Sequence, residues 1–392
     1  MTETIQCYAC GAKDLEIFYQ AKQVPAHSCL LMSSRAEALN YPKGDVVLGF
    51  CRVCGFIENI EFDPTLHEYS SRYEETQSFS PTFNVFHQNL AKRLIERYHL
   101  YDKDIIEIGC GKGEFITLLC ELGKNRGIGF DPSYIPERNA SKAPERLKFI
   151  TDFYSEKYTH HRADFVCCKM TLEHIQRTAD FVSMVRRAIG NRTTTIVFFQ
   201  VPDVRRILQE VAFWDIYYEH CSYFSLGSLS RLFQSCGFNV LHLSKEFNGQ
   251  YLVIEASLEN GHSGFAQEEN DVEELAQDVQ HFKVNFPSKL SEWRKKLDSL
   301  IAQGRRVVIW GSGSKAVAYL TALKVKDEIE YVVDINPYKH GKFLAGTGHE
   351  IVSPTFLKDY RPDVVIVMNP AYQEEIKLDL AKMEIFPDMV SL

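Results

Sequence analysis

The sequence predicts an α/β protein with more than one parallel sheet, and two stretches carry that prediction. In mid-chain, DIIEIGCGKGEF (residues 104–115) runs a short β-branched strand straight into Gly109, Gly111 and Gly113, and the apolar run 115–119 then opens a helix. Further on, RRVVIWGSGSKAVAYLTAL (residues 305–323) repeats the strand, glycine turn and helix. Such a turn leaves backbone N–H groups and the positive end of a helix dipole facing a close-packed ligand. A chain of 392 residues exceeds the ~250–300 at which single cores stop growing, so two or three domains are expected.

Composition excludes several classes. The hydrophobic fraction of 45% marks a folded globular chain, and a formal net charge of -8 without a lysine or arginine run argues against a nucleic-acid partner. No window reaches the ~18 consecutive apolar residues of a membrane span, and MTETIQCYAC does not resemble an export signal, so the expected location is cytoplasmic. The cysteine count of 11 is odd, which fits reduced thiols and a metal site better than a disulfide framework.

Taken in order, the chain begins with Cys7-x-x-Cys10 and Cys51-x-x-Cys54, each followed by glycine. Two such knuckles offer the tetrahedral sulfur shell that structural zinc prefers, and no thioredoxin-like strand precedes either pair to favour a redox role. Between them, Cys29 and His27 are either spare ligands or, the preferred reading, a plain buried thiol and a surface imidazole. Residues 66–86 are rich in hydroxyls and aromatics. Tyr69, Tyr73, Phe79 and Phe83 either pin this segment to the core or form a lid over a ligand. Leu90, Leu94, Ile95 and Tyr98 recur at helical period, predicting a helix at the sheet edge. After the glycine turn, GIGF ends a second strand at Asp131, where an acid can hold two ribose hydroxyls.

Glu107-Ile108-Gly109-Cys110-Gly111-Lys112-Gly113 resembles the first motif of class I methyltransferases that use S-adenosylmethionine. The competing reading of the same βαβ geometry, a nicotinamide-binding domain, lacks its G-x-G-x-x-G spacing here. The resemblance implies that Glu107 and the three glycines flank the cofactor and that Asp131 holds its ribose. It also implies that Asp152 meets the adenine amino group and that Phe153 covers the ring. It further compares Thr171-Leu172-Glu173-His174-Ile175 with the motif after the fourth strand, which puts His174 across the active-site mouth. Residues 193–203 read as the fifth strand.

Between that strand and a helix at 226–236 lies FWDIYYEHCSYFS, which crowds Tyr217, Glu219 and His220 into four residues. As bare residues they equally suit a helix start with aromatic packing. Tyr-x-Glu-His followed by an aromatic-Phe-Ser sequence, however, resembles the deoxysugar C-methyltransferases that act on nucleotide-linked keto-sugars. In that family these side chains surround the reacting carbon. Residues 246–258 read as closing antiparallel strands, 261–302 as an acidic linker turning into a helix, and 303–392 as a second α/β domain with strands ending at Asp334 and near Pro370. On its own the latter would be a dinucleotide site. The resemblance instead makes Gly311, Gly313, Lys315, Asp334 and KHGKFLAGT part of a third domain that helps hold the nucleotide-sugar. Gln200, in place of an acid, and Ala345, in place of a proline, depart from the family pattern.

The expected organisation is therefore a zinc-binding domain (1–65), a methyltransferase domain with a class I Rossmann-like sheet (66–260), a helical linker (261–302) and a C-terminal Rossmann-like α/β domain (303–392). The expected reaction is methyl transfer from S-adenosylmethionine to carbon. His220 is the base that takes the proton beside a ketone, Glu219 orients it, Tyr217 donates to the enolate oxygen or relays the proton, and His174 assists. The zinc is structural, and the chain is a monomer or weak homo-oligomer. Two rivals remain: an O- or N-methyltransferase of another small metabolite, in which His220 still serves as base, and a zinc-ribbon binding protein whose methyltransferase fold is inactive or targets RNA.

Overall fold

The computed structural model describes residues 6–13, 15–259 and 270–392. Residues 260–269, the start of the expected linker, lie outside the described residues. The strands are β1 (Glu16–Pro25), β2 (Lys43–Phe50), β3 (Ile57–Asn59), β4 (Asp104–Ile108), β5 (Arg126–Phe130), β6 (Leu147–Ile150), β7 (Phe165–Lys169), β8 (Ile196–Pro202), β9 (Ser222–Tyr223), β10 (Asn239–Glu246), β11 (Tyr251–Ser257), β12 (Val307–Trp310), β13 (Tyr331–Val333), β14 (Glu350–Val352), β15 (Val364–Val367) and β16 (Asp388–Ser391).

They form three sheets. The central one runs β10-β11-β8-β7-β4-β5-β6, parallel from β8 to β6 and closed by the antiparallel pair β10–β11. Its inner parallel strands β4, β7 and β8 are short, largely apolar runs buried on both faces, as parallel sheets require. The third sheet, β14-β13-β12-β15-β16, is parallel throughout. The N-terminal sheet β1-β2-β3 is antiparallel and takes β9 of the central domain as its fourth strand, with Ile57 opposite Tyr223 and Glu58 opposite Ser222.

Two elements pack differently from their sequence expectation. The helix Pro81–Tyr98, started by Ser80, whose hydroxyl accepts from Phe83 N at 3.2 Å, lies on a face of the central sheet and not at its edge. Its Leu90, Leu94 and Ile95 share one core with Ile105, Phe165, Phe198 and Val253, which come from four different strands. The helix Val272–Ala302 is more than a linker. Leu275, Val279, Phe282, Trp293 and Leu297 are buried in a core that also holds Phe18, Phe213, Tyr319 and Ile366, from the N-terminal sheet, the segment after β8 and the C-terminal sheet. At about 1.5–3 kcal/mol for each large apolar side chain buried, this helix is a main bond between the N-terminal sheet, the segment after β8 and the C-terminal domain.

Candidate functional site

Two cavities open at the C-terminal ends of the central strands, where ligands of open α/β sheets bind. The first, of about 390 Å³, spans the ends of β6, β5, β4 and β7 and is lined by Asp152, Phe153, Asp131, Gly109, Gly111 and Lys169 among others. Gly109 has φ +70°, and a Cβ there would sit 2.0 Å from Thr171 Oγ1, so the turn admits no side chain. A Cβ at Gly111 would meet Glu75 Oε1 at 2.5 Å, which places the 69–80 segment directly over the turn. Gly113, also at positive φ, packs against Phe149 and starts the helix Glu114–Gly123.

Glu107 accepts from Ile116 N at 3.0 Å, and burial pushes its carboxyl up to about 8 although the Lys169 ammonium opposes this. Asp131 accepts from Gly111 N at 2.8 Å and from Ser133 N and Oγ at 2.8 and 2.7 Å. That leaves roughly one of a carboxylate's four acceptor positions for a ligand hydroxyl. Asp152 accepts from Phe153 N and the Tyr158 hydroxyl at 2.8 and 2.7 Å and pairs with Lys157. Phe153 is 60% exposed, its ring edge-on to Tyr69, and is free to cover a flat ligand. The turn a Cβ would fill, the acid beyond β5 and the aromatic beyond β6 together suit an adenosyl group.

The second cavity, about 320 Å³, lies between the central and C-terminal sheets. Tyr73, Glu75, Thr76, Gln77, Met170 and His174 line both cavities and form their common wall. Of the residues expected at the reaction centre, His174, Tyr217 and His220 meet here. Tyr217 OH and His220 Nε2 are hydrogen-bonded at 3.0 Å, the His174 and His220 rings lie edge to face with centroids 4.8 Å apart, and His174 Nδ1 is 3.0 Å from Tyr69 OH. Burial, then the His174, Lys315 and His67 charges, holds His220 well below the ordinary imidazole range, so at neutral pH the ring is uncharged and its unprotonated nitrogen can accept a proton. Burial likewise brings His174 down to about 4.

Glu219 stands apart from the expected arrangement. It does not line the cavity, and its carboxylate binds His27 Nδ1 at 2.6 Å and accepts from Ser28 N at 2.9 Å and from the Ser28 hydroxyl. Burial alone would raise this carboxyl, but His27 and its neighbours keep it below the ordinary range. His27 is thus completely buried and is no surface imidazole. The carboxyl nearest His220 is Glu173, with Oε1 4.0 Å from Nε2. Neither Glu173 oxygen has a hydrogen-bond partner among the described residues, and burial pushes the group up to about 8. Glu173 stood in the quoted motif beside His174, and an acid inside an apolar strand exit was the available signal. His27 had none, because 192 residues separate it from Glu219.

On the far wall, Arg206 and Lys315 both pair with the single carboxylate of Asp215, Arg206 at 2.6 Å. Gly311, Gly313 and Asp334 line the same wall. Asp334 is engaged within its own domain, accepting from Ser312 N at 2.9 Å and Asn336 N at 2.8 Å with Lys339 Nζ at 3.4 Å, and so is spent as a ribose acceptor. Phe343, Ala345 and Gly346 of the KHGKFLAGT stretch dock the N-terminal domain, with Phe343 N donating to Met32 O and Gly346 N to Ala38 O.

Cys7, Cys10, Cys51 and Cys54 come together away from both cavities, all four sulfurs within 4.8 Å of one another. Cys7 and Cys54 sulfurs are 3.7 Å apart and those of Cys10 and Cys51 3.6 Å, close to the ~3.8 Å edge of a tetrahedron with ~2.3 Å metal–sulfur bonds. The knuckles repeat one geometry, Gly11 N donating to Cys7 O and Gly55 N to Cys51 O, both at 2.8 Å. These residues could hold a tetrahedral metal.

Residues 83–243 match a family model described as a methyltransferase domain, and residues 260–385 one described as a C-methyltransferase C-terminal domain. The protein is an S-adenosylmethionine-dependent methyltransferase. Across 391 residues it is 28% identical to C-methyltransferase NovU of Streptomyces niveus, covering 95% of this chain and 91% of that one. The chain is thus similar to a C-methyltransferase along nearly its whole length. Among solved structures, the 1,6-didemethyltoxoflavin-N1-methyltransferase of Burkholderia thailandensis overlaps 45% of this chain and 80% of its own, at 14% identity and TM-score 0.34. The magnesium protoporphyrin IX methyltransferase of Synechocystis PCC 6803 overlaps 47% and 86%, at 16% identity and TM-score 0.35. No helix among the described residues is long and apolar enough to cross a membrane.

Proposed function

We propose that this enzyme methylates a carbon next to the ketone of a nucleotide-linked keto-deoxysugar. The observation that carries the reading is the common wall of the two cavities. His174 stands in that wall with His220 and Tyr217 beside it, which supports a cofactor on one side reaching an acceptor on the other. When bound, S-adenosylmethionine supplies an electrophilic methyl group on a sulfonium sulfur. Glu107, Gly109, Gly111, Gly113, Asp131, Asp152 and Phe153 are the residues that would hold it.

His220, neutral and buried, is the general base that takes the α-proton, and Tyr217 gives its hydroxyl hydrogen bond to the enolate oxygen that results or passes the proton on. His174 lies edge-on to His220 and steadies it through the bond to Tyr69. Glu219 acts at one remove, fixing the 213–223 segment to the N-terminal domain through His27 and Ser28. Arg206 and Lys315, which line the acceptor cavity and are held there by Asp215 and, for Arg206, by Glu210, are the cations that would meet the diphosphate of a nucleotide-sugar. The sulfur spacings support a structural zinc on Cys7, Cys10, Cys51 and Cys54.

The test is mass spectrometry of a panel of nucleotide-linked 4-keto-deoxysugars after incubation with the enzyme and S-adenosylmethionine, with His220→Ala in parallel. Gain of one methyl on carbon, located by NMR and lost in the variant, is the expected result. Methyl found on oxygen or nitrogen, or no methylation of any member of the panel, overturns the reading.

A further inference from the structure

Among the described residues three lysines are buried: Lys112, Lys169 and Lys339. Lys112 Nζ donates to two backbone carbonyls and lies 3.6 Å from Glu75, and Lys339 lies 3.4 Å from Asp334. Lys169, 8% exposed at the end of β7, has neither kind of partner. Its ammonium donates to His87 Nε2 at 2.7 Å and sits 3.8 Å from the centre of the Phe115 ring, and no described carboxylate oxygen comes within 4.0 Å. Burial, then the Lys169 charge, keeps His87 well below the ordinary imidazole range, so this imidazole is a neutral acceptor. Burial also pulls the Lys169 ammonium down to about 8, and Glu107, the main group opposing this, lies beyond contact distance. Burying an ammonium without a counter-ion in contact is costly, and this one faces the cofactor cavity.

The place of that cation along the cavity identifies its anion. The strand order β6-β5-β4-β7 lays out Asp152 and Phe153, then Asp131, then the glycine turn, then Lys169. Strands are about 4.8 Å apart, so the cavity runs roughly 14 Å from the adenine end to Lys169. The methyl donor is a linear ligand with adenine at one end and an amino acid at the other. With adenine at β6 and ribose at β5, its aminoacyl end extends over β4 and β7.

We propose that Lys169 binds the aminoacyl carboxylate of the methyl donor, with His87 and the Phe115 ring holding the ammonium in position for it. The inference rests on the reading of this cavity as the cofactor site, with adenine at β6. Glu107 and Glu114, which line the same end, are then placed for the donor's α-ammonium. Lys169 is a binding and orienting residue and takes no part in proton transfer.

Calorimetry on the full-length protein tests this with two ligands that share the adenosyl half: S-adenosylhomocysteine, which has the aminoacyl carboxylate, and 5′-methylthioadenosine, which lacks the aminoacyl group. Lys169→Met is expected to weaken S-adenosylhomocysteine by about 10- to 100-fold and to leave 5′-methylthioadenosine within about threefold of wild type. Equal loss of both ligands, or loss of neither, overturns the proposal. A second comparison uses wild-type protein alone, where decarboxylated S-adenosylhomocysteine should bind at least about tenfold more weakly than the parent; equal affinity overturns the proposal without recourse to a variant. Failure of wild type to bind either adenosyl ligand would instead overturn the reading of the cavity itself.

Discussion

Replacing His27 by alanine is expected to destabilise the protein by about 3 kcal/mol although His27 does not line the acceptor cavity. The magnitude follows from the contacts of Glu219. Its side chain is 2% exposed and that of His27 0%, the Nδ1–Oε1 distance is 2.6 Å, and Ser28 supplies the other oxygen. Without the imidazole, Oε1 keeps a buried charge with no contact partner, a situation that costs roughly 2–5 kcal/mol. Glu219→Ala alone strands His27 in the same way, while the double variant strands neither group, so the two losses should fall short of additivity by about 2 kcal/mol. The assay is urea denaturation followed by tryptophan emission, which Trp214 and Trp293 report from the shared core. The sign of the pH dependence is also determined. Glu219 is held below its ordinary range, so its share of stability is fully present above the unfolded carboxylate value and is lost as pH falls through the folded one. The coupling should therefore persist from pH 8 to about 5 and fade below about 4. A coupling below ~0.5 kcal/mol at pH 7, or one that grows on acidification, would refute the reasoning.

His220→Ala should lower methyl transfer by about 10²–10⁴-fold while S-adenosylhomocysteine affinity stays near wild type, read by turnover and calorimetry. Because the His220 imidazole is held low, its base form survives acidification, and the acid limb of the rate profile should lie well below pH 6.5; a limb at 6.5–7 contradicts the assignment. Gly109→Ala places a methyl 2.0 Å from Thr171 Oγ1 at φ +70° and should abolish adenosyl-ligand binding in calorimetry, with a folding penalty of at least about 1–2 kcal/mol from the left-handed backbone. Metal analysis should find one zinc per chain; stripping it should speed hydrogen exchange at Ser222–Tyr223, which pair with β3, and lower turnover more than cofactor binding.

What could be read from the sequence is what spacing alone determines. The glycine turn, the acid after β5 and the paired cysteine knuckles are each set by a few adjacent residues, and their chemistry follows from that spacing. The long helix Val272–Ala302 resembled a linker because the stretch leading into it is acidic and polar, while the positions that join the N-terminal sheet to the C-terminal domain, such as Phe282 and Trp293, are scattered along 31 residues. Glu219 beside His220 invited an orienting role, yet neighbours in an irregular segment point where tertiary contacts send them, and those contacts come from His27 and Ser28. That pairing depends on β3 finding β9, a non-local event invisible to local pattern. Lys169 was visible as a charge closing the apolar run ADFVCCKM, but its meaning needed the order of strands.

The segment 213–223 explains why a single methyl transfer is embedded in three sheets. Apart from one 3-10 turn and the two residues of β9 it has no regular structure of its own, yet general-base catalysis needs its side chains placed to within about an ångström. Each surrounding unit supplies a constraint. Trp214 packs edge to face on Trp293 of the long helix, and Phe213 stacks on Tyr319 of the C-terminal domain. Asp215 takes Lys315, also from the C-terminal domain, and Tyr218 OH accepts from Asp63 N on the N-terminal side. Cys221 N donates to Glu173 O in the central domain, and β9 completes the N-terminal sheet. Tyr217 and His220 are therefore fixed by contacts from every unit at once, and a truncated methyltransferase core would retain its glycine turn and lose the placement of the base proposed at His220.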